Sequence, residues 1–199
     1  PRVAVNVSAM QLRRKDFVQT LESVLTNHHG HRRRLGLDLE LTESVLMMDV
    51  EASIQKLNAI REMDLKISID DFGTGYSSLS YLRRFPIDYL KIDQSFVREI
   101  TSDPNAASIC ISIIDLAHNL KLKVIAEGVE TEGQMNYLRR HHCDEMQGYL
   151  FSRPLPSAEC TQLLRAQKKL ALPPLAQGQR KTLLIIDDET SILSALKRL

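Results

Sequence analysis

The chain has little of what marks disulfide-rich, membrane-spanning or nucleic-acid-binding proteins. Its three cysteines, Cys110, Cys143 and Cys160, lie far apart with no Cys-x-x-Cys pair, and so indicate neither a disulfide framework nor a zinc site. No apolar run reaches the roughly 18 residues that span a bilayer, and no signal peptide is visible. The formal net charge of +1 gives no basic excess for binding a nucleic acid polymer. These residues are therefore expected to form a soluble, cytoplasmic globular protein with no membrane segment.

Strand and helix patterns alternate between residues 1 and 169. The apolar periodicity predicts strands at residues 3–7, 37–41, 67–69, 89–92, 123–126 and 146–149. It predicts helices at residues 17–25, 50–63, 79–84, 106–120, 131–140 and 157–169. Asp103 and Pro104 are a predicted N-cap and first-turn proline, and Thr131 with Gln134 forms a capping-box pattern.

Such alternation implies right-handed crossovers and a parallel sheet, either open or closed into a barrel. A polar residue ends almost every predicted strand. This favours the barrel, where functional residues come from many strand ends, whereas an open sheet gathers its ligand at one switch point. A full barrel needs about 250 residues. The predicted fold is therefore α/β: an incomplete (β/α)8 TIM-like barrel with about six βα units, lacking roughly two on the amino-terminal side.

The residues that end these strands are suited to holding a metal ion or a phosphate. They are Asn6 after RVAV, Glu40 after LDL, Asp70 and Asp71 after KISI, Lys91 after DYL, and Glu127 after KVIA. Adjacent strand residues point to opposite faces, so Asp71 can share a site with Asp70 only if the chain turns there. Gly73 and Gly75 permit such a turn.

Other interpretations of the same residues remain open from composition alone. Asp70 and Asp71 also fit an N-cap and a turn residue before glycines. Lys91 also fits a surface lysine or a partner for Asp93. Asn6 also fits a strand end through its turn propensity.

Six stretches in order make the pattern specific to one family. They are NVSAMQL from Asn6, ELTES from Glu40, DDFGTGYSSL from Asp70, LKID from Leu90, AEGVE from Ala126 and QGYLFSRPLP from Gln147. With these, residues 1 to about 169 resemble the carboxyl-terminal two-thirds of an EAL domain, the bacterial cyclic di-GMP phosphodiesterase family. The resemblance implies a modified (β/α)8 barrel that hydrolyses cyclic di-GMP to linear pGpG in signal transduction.

The resemblance also implies a site for two divalent ions. Two such ions about 3.5–4 Å apart neutralise a phosphodiester and acidify a water. Asn6, Glu40 and Asp70 are the implied ligands of one ion, and Asp70 bridges to a second ion that Asp71 also holds. An all-oxygen ligand set favours Mg²⁺ or Mn²⁺ over zinc.

Further roles follow from the same resemblance. Lys91 is expected to contact the attacking water or the phosphate, and Glu127 to act as a base or a water-mediated metal ligand. Glu43 is expected to steady the loop after Asp70, Glu130 to support the same loop, and Gln147 to orient the metal-bound water or the substrate. Without the resemblance, Glu127 and Glu130 fit solvated loop acids equally well.

One part of the family signature does not occur in these residues. The Glu-Ala-Leu strand, whose glutamate is a further metal ligand, precedes the stretches that match. The parent protein is expected to be an enzyme, and this chain alone to be inactive or feeble. The alternatives are a catalytically inactive cyclic di-GMP sensor and a phosphorelay interaction module. Family members often pair as dimers, so a homodimer is also possible.

The amino-acid composition changes over the last 30 residues. Residues 170–181 are typical of an interdomain linker. Residues 182–199 resemble the first βα unit of a flavodoxin-like response-regulator receiver domain, with the acid pair Asp187 and Asp188. That resemblance implies a histidine kinase as partner. An amphipathic tail is the alternative.

Overall fold

Six parallel strands form the centre of the molecule. The structure is a computed structural model. It describes residues 2–27, 36–75, 79–167 and 169–170. In chain order the strands are β1 (Arg2–Asn6), β2 (Gly36–Thr42), β3 (Lys66–Phe72), β4 (Tyr89–Ile92), β5 (Lys123–Ala126) and β6 (Glu145–Met146). Each strand pairs in parallel with the next, so spatial order follows sequence order. The sheet curls into an incomplete TIM-like barrel, which confirms the predicted fold class.

Helices follow the strands in the alternating order that a barrel requires. They are α1 (Ala9–Arg13), α2 (Phe17–Asn27), α3 (Glu43–Met47), α4 (Val50–Glu62), α5 (Leu79–Leu82), α6 (Gln94–Glu99), α7 (Pro104–Asn119), α8 (Glu132–Arg140) and α9 (Ser157–Arg165). None of the helices in the described ranges has the length and apolar character that a membrane span requires.

The hydrophobic core includes strand side chains such as Ile67, Ile69, Leu90 and Ile92, each fully buried. Polar residues alternate with them: Ser68 lies between Ile67 and Ile69, and Lys91 lies between Leu90 and Ile92. Because successive side chains of a strand point to opposite faces, the polar set faces away from its apolar neighbours. This alternation gives the half-barrel a polar surface that leads to the strand ends.

Both predicted helix starts are confirmed. The Asp103 side chain accepts hydrogen bonds from the backbone of Asn105 and Ala106, and Pro104 begins α7. Thr131 and Gln134 form a complete capping box at the start of α8. Cys110, on α7, is buried in the core as filler.

Two predicted elements extend at least three residues beyond the observed ones. The strand predicted at 146–149 is limited to β6. The Gln147 N–H still donates to the Ala126 carbonyl at the end of β5, but the next backbone bonds, at the Gln147 carbonyl and the Leu150 N–H, go to Val129 in the loop. The helix predicted at 157–169 ends at Arg165. The receiver-like segment with Asp187 and Asp188, and the linker from residue 171, lie outside the described residues.

Candidate active site

A cavity of about 870 Å³ opens at the carboxyl ends of the strands. Eight residues predicted from sequence to belong to the site line it: Asn6, Glu40, Asp70, Asp71, Lys91, Glu127, Glu130 and Gln147. The carboxyl ends of parallel strands meet at one rim of a barrel, which brings these distant sequence positions together.

Lys91 is at the centre of the charged cluster. Its side chain is 2% exposed, and its Nζ lies 2.6 Å from Glu40 Oε2, 2.6 Å from Glu127 Oε1 and 3.0 Å from Asp70 Oδ1. The interpretation of Lys91 as a surface lysine or a partner of Asp93 is therefore wrong. Asp93 instead caps α6 by accepting a hydrogen bond from the backbone N–H of Ser95 at 2.9 Å.

Asp71 turns back towards Asp70 because the chain leaves strand geometry there. Its φ of 54° is left-handed, the pairing of β3 with β4 is irregular between Ile69 and Phe72, and its N–H donates to Asp70 Oδ1 at 3.0 Å. The turn that the sequence requires for a shared site is present. Carboxylate oxygens of Asp70, Asp71 and Glu127 lie within 4.8 Å of one another, a spacing that fits a divalent cation.

The cluster carries more negative than positive charge, and the protonation of its members reflects this. Burial alone would lower the pKa of Lys91, but Glu40, Glu127 and Asp70 outweigh it and raise that pKa above its ordinary value. Burial raises the pKa of Glu127 to about 7, and repulsion from Asp70 opposes the lowering effect of Lys91. Burial, with repulsion from Asp70, also raises the pKa of Asp71. A single ammonium cannot neutralise four neighbouring carboxylates, so the site favours additional positive charge.

Asn6 and Glu40 lie side by side where β1 and β2 end. They are register partners, and the N–H of Val7 donates to the Glu40 carbonyl at 2.8 Å. Glu40 is 2% exposed, whereas Asn6 is at the exposed rim. The Asn6 amide and the Glu40 carboxylate thus place further oxygen atoms next to the Asp70 cluster.

Glu43 does not line the cavity, unlike the other residues predicted for the site. It is buried at the start of α3. A methyl group added to Gly75 would lie 3.5 Å from Glu43 Oε2, so the carboxylate abuts the loop that follows Asp71. This position fits the predicted role of steadying that loop.

Gln147 is held in place by backbone contacts with the loop after β5. Its N–H donates to the Ala126 carbonyl at 2.8 Å, and its own carbonyl accepts from Val129 at 2.9 Å. Next to it, a Cβ on Gly148 would lie only 2.2 Å from the Val129 carbonyl oxygen. Only glycine allows this close approach, which fixes the Gln147 backbone beside Glu127.

Residues not predicted from the sequence also line the cavity, among them Gln11, Gln94, Arg98, Ser152 and Arg153. Gln94 and Arg98 are four positions apart on α6, directly after β4, and four-residue spacing places them on one helix face. The sequence does indicate where α6 starts, because Asp93 before QSFVRE is a typical N-cap. α6 has only six residues, too few to show an apolar period.

Comparisons with known proteins agree with this geometry. The model of the EAL domain matches residues 1–154. The cyclic di-GMP phosphodiesterase NbdA of Pseudomonas aeruginosa is 47% identical over 174 residues, which are 87% of this chain and 22% of NbdA. A structure of the MucR phosphodiesterase of the same organism in complex with c-di-GMP shares 43% identity and a TM-score of 0.75, covering 80% of this chain and 64% of that one.

A third comparison covers most of a solved domain. The EAL domain of Mycobacterium smegmatis DcpA shares 38% identity and a TM-score of 0.79, covering 85% of this chain and 75% of that one. The chain spans about a fifth of the length of the curated relatives it matches. Because the family model matches more than half of the chain, this protein belongs to the EAL domain family.

Proposed function

We propose that the protein of which these residues are part hydrolyses cyclic di-GMP to linear pGpG with the help of divalent cations. The observation that carries the proposal is the convergence of Glu40, Asp70, Asp71 and Glu127 around Lys91 in one cavity. Family membership points to the same substrate, since NbdA is named a cyclic di-GMP phosphodiesterase and MucR was solved with c-di-GMP.

The residues present fit Mg²⁺ or Mn²⁺. Asn6, Glu40, Asp70 and Asp71 would hold two such ions. These donors are carboxylate and amide oxygens, which both ions prefer. When bound, the ions neutralise the phosphodiester and make a water more acidic.

The chain's own side chains position the reactants and move the proton. Lys91 keeps a fixed positive charge against the phosphate and holds Glu40, Asp70 and Glu127 in place. Glu127, whose pKa is about 7, accepts the proton of the attacking water. Gln147 orients the water or the substrate from the rim.

The linear product defines the bond that breaks. The water oxygen forms a bond to phosphorus, the bond from phosphorus to the 3′ oxygen breaks, and the leaving 3′ oxygen takes up a proton. The phosphate stays on the 5′ oxygen, as in pGpG.

This chain alone is expected to turn over slowly. In the described sheet, β1 and β6 are the two outer strands and do not pair with each other, so the barrel wall is open between them. A site open to water gives weaker electrostatic stabilisation than an enclosed one. The same opening favours the second candidate for this chain, binding of cyclic di-GMP without rapid hydrolysis.

The test is to incubate the chain with cyclic di-GMP and Mg²⁺, Mn²⁺ or Ca²⁺, and to measure binding and pGpG release separately. We expect slow release with Mg²⁺ or Mn²⁺, and binding without release with Ca²⁺. Asp70→Asn should lower both release and divalent-dependent binding by about 100-fold, the scale of a lost electrostatic contact in a catalytic site.

Asp103→Asn is the matched control. It is the same chemical change at a helix N-cap outside the cavity, where asparagine caps equally well. Full activity of Asp70→Asn would remove Asp70 from the site. No binding and no release by the unmodified chain, with any of the three ions, would contradict the proposed function for these residues.

A further inference from the structure

Gln134 joins two walls of the cavity that the catalytic residues do not connect. One wall is the loop from Glu127 to Thr131 after β5, and the other is α6, which begins three residues after Lys91. The Gln134 side chain is buried, with 5% of the residue exposed. It makes hydrogen bonds to both walls.

The carbonyl end of the side chain bonds to the loop. Gln134 Oε1 accepts hydrogen bonds from the backbone N–H groups of Glu130 at 2.8 Å and Thr131 at 2.9 Å. This half of the interaction is the capping box that begins α8.

The amide nitrogen of the Gln134 side chain bonds to α6. Gln134 Nε2 donates to the carbonyl oxygen of Arg98 at 3.2 Å. Arg98 is in the last turn of α6, where a carbonyl lacks a partner within the helix. The loop and α6 also touch at the opposite end of α6, where a Cβ on Gly128 would lie 2.7 Å from the Gln94 Cβ.

A helix cap alone does not require glutamine at this position. Glutamate serves equally in a capping box, and near a helix N-terminus its charge is favourable. Glutamate has no N–H to donate to Arg98. The amide is therefore needed for the contact with α6 and not for the cap.

We propose that Gln134 is a positioning residue that holds α6, with Gln94 and Arg98, at a fixed distance from the loop that carries Glu127 and Glu130. Because both walls line the cavity, their spacing sets the shape into which the nucleotide fits. The inference deepens the proposed function and rests on it for the identity of the ligand.

The test uses Gln134→Glu, which keeps the cap and loses the donor to Arg98. Fluorescent cyclic di-GMP is titrated into the whole chain with Ca²⁺, and thermal unfolding is measured in parallel. We expect Tm within about 2 °C of the unmodified chain, because the cap remains. We expect about fivefold to tenfold weaker binding, the scale of one hydrogen bond. Unchanged affinity would overturn the proposal.

A control covers the case in which Gln134→Glu lowers Tm. Asp103→Ala removes an N-cap outside the cavity and is expected to cost about 1 kcal/mol. Affinities are then compared well below both melting temperatures. Weaker binding by Gln134→Glu than by Asp103→Ala supports the positioning role, and equal binding overturns it.

Backbone hydrogen exchange without ligand separates this inference from the proposed function. Loss of the tether is expected to speed exchange in residues 94–99, although the substitution lies in α8. A residue that only caps α8 would leave 94–99 unchanged, and that result overturns the inference even if the chain binds no cyclic di-GMP. If exchange rises in residues 94–99 and the unmodified chain binds no nucleotide, the positioning role stands and the ligand assignment fails.

Discussion

Lys91 allows several acidic side chains to remain close together in the lining of the cavity. Its ammonium lies within 3.0 Å of three carboxylates and is almost fully buried. Buried carboxylates without a counter-charge are strongly unfavourable, so this ion cluster needs its cation even before a metal binds.

Replacing Lys91 by methionine should therefore destabilise the metal-free protein. We expect the free energy of unfolding, measured by urea titration, to fall by about 3 kcal/mol, as when one partner of a buried ion pair is removed. Added Mg²⁺ or Mn²⁺ should restore part of the loss. Lys66→Met is the control, because its ion pair with Asp88 is at a site where the lysine is 42% exposed. Equal losses in the two variants would contradict the account.

The raised pKa of Glu127 predicts how metal binding depends on pH. With a pKa of about 7, its carboxyl is mostly protonated at pH 6 and ionised at pH 8.5. A cation prefers the ionised form, so binding of Mn²⁺ should release about one more proton per chain at pH 6 than at pH 8.5. Affinity should accordingly rise with pH through about 7.

Calorimetry in buffers of different ionisation enthalpy measures the number of protons released. Glu127→Gln should abolish the difference between the two pH values. The same proton count at both pH values in the unmodified chain would show that Glu127 is not part of the cation site.

The identity of the acidic residues could be predicted from the sequence, but their protonation and contacts could not. A run such as KISIDDFG shows that acids follow a strand and that glycines permit a turn. The left-handed φ of Asp71 and the burial of Lys91 depend on neighbouring strands, which a local pattern does not contain. From the sequence alone, Lys91 therefore also fitted a surface lysine or a partner of Asp93. Only the folded arrangement places three carboxylates around it.

At the scale of elements, the ends of β5 and β6 depend on each other. Val129, in the loop after β5, bonds to Gln147 and to Leu150, and Gly148 lies against it without room for a side chain. The positions of Glu127 and Gln147 are thus set by one backbone arrangement.

Gly148→Ala should disturb that arrangement. A Cβ at 2.2 Å from a carbonyl oxygen forces the backbone to move, and such overpacking costs about 1–3 kcal/mol. We expect a lower Tm together with weaker binding of cyclic di-GMP in Ca²⁺.

Gly133→Ala provides the comparison. Its Cβ would have no atom closer than 3.7 Å, and alanine in α8 is favoured over glycine by about 1 kcal/mol. Tm should stay the same or rise. A Gly148→Ala chain as stable and as tightly binding as Gly133→Ala would show that the close approach has no functional role.

The extent of an element was predictable where a local sequence pattern defines its ends and not where a distant contact does. The sixteen residues of α7 carry a cap, a proline and a repeating apolar face, so its start was predicted at the correct residue. The two-residue strand β6 was predicted too long, because the apolar pattern continues into Tyr149 while the hydrogen bonds change to Val129. Hydrogen bonding to a distant loop leaves no local signal.

The described residues form a half-barrel that brings the polar residues at its strand ends together at one rim. Strand and helix alternation was sufficient to predict parallel strands, and the polar residues at the strand ends favoured a barrel, in which spatial order follows sequence order. The recurrence of polar residues at strand ends was sufficient to predict a common rim. Contacts made through side chains on short helices, such as Gln134 with Arg98, required the three-dimensional arrangement.

The central claim is that the carboxylates around Lys91 form a divalent-cation site facing a cyclic dinucleotide. Crystals grown with Mn²⁺ and cyclic di-GMP, measured at the manganese absorption edge, test it most directly. The account predicts anomalous peaks beside Asp70, with one shared by Asp71 and one near Glu40 and Asn6, and a phosphate of the nucleotide next to them. Manganese bound elsewhere, or nucleotide bound outside this cavity, would contradict it.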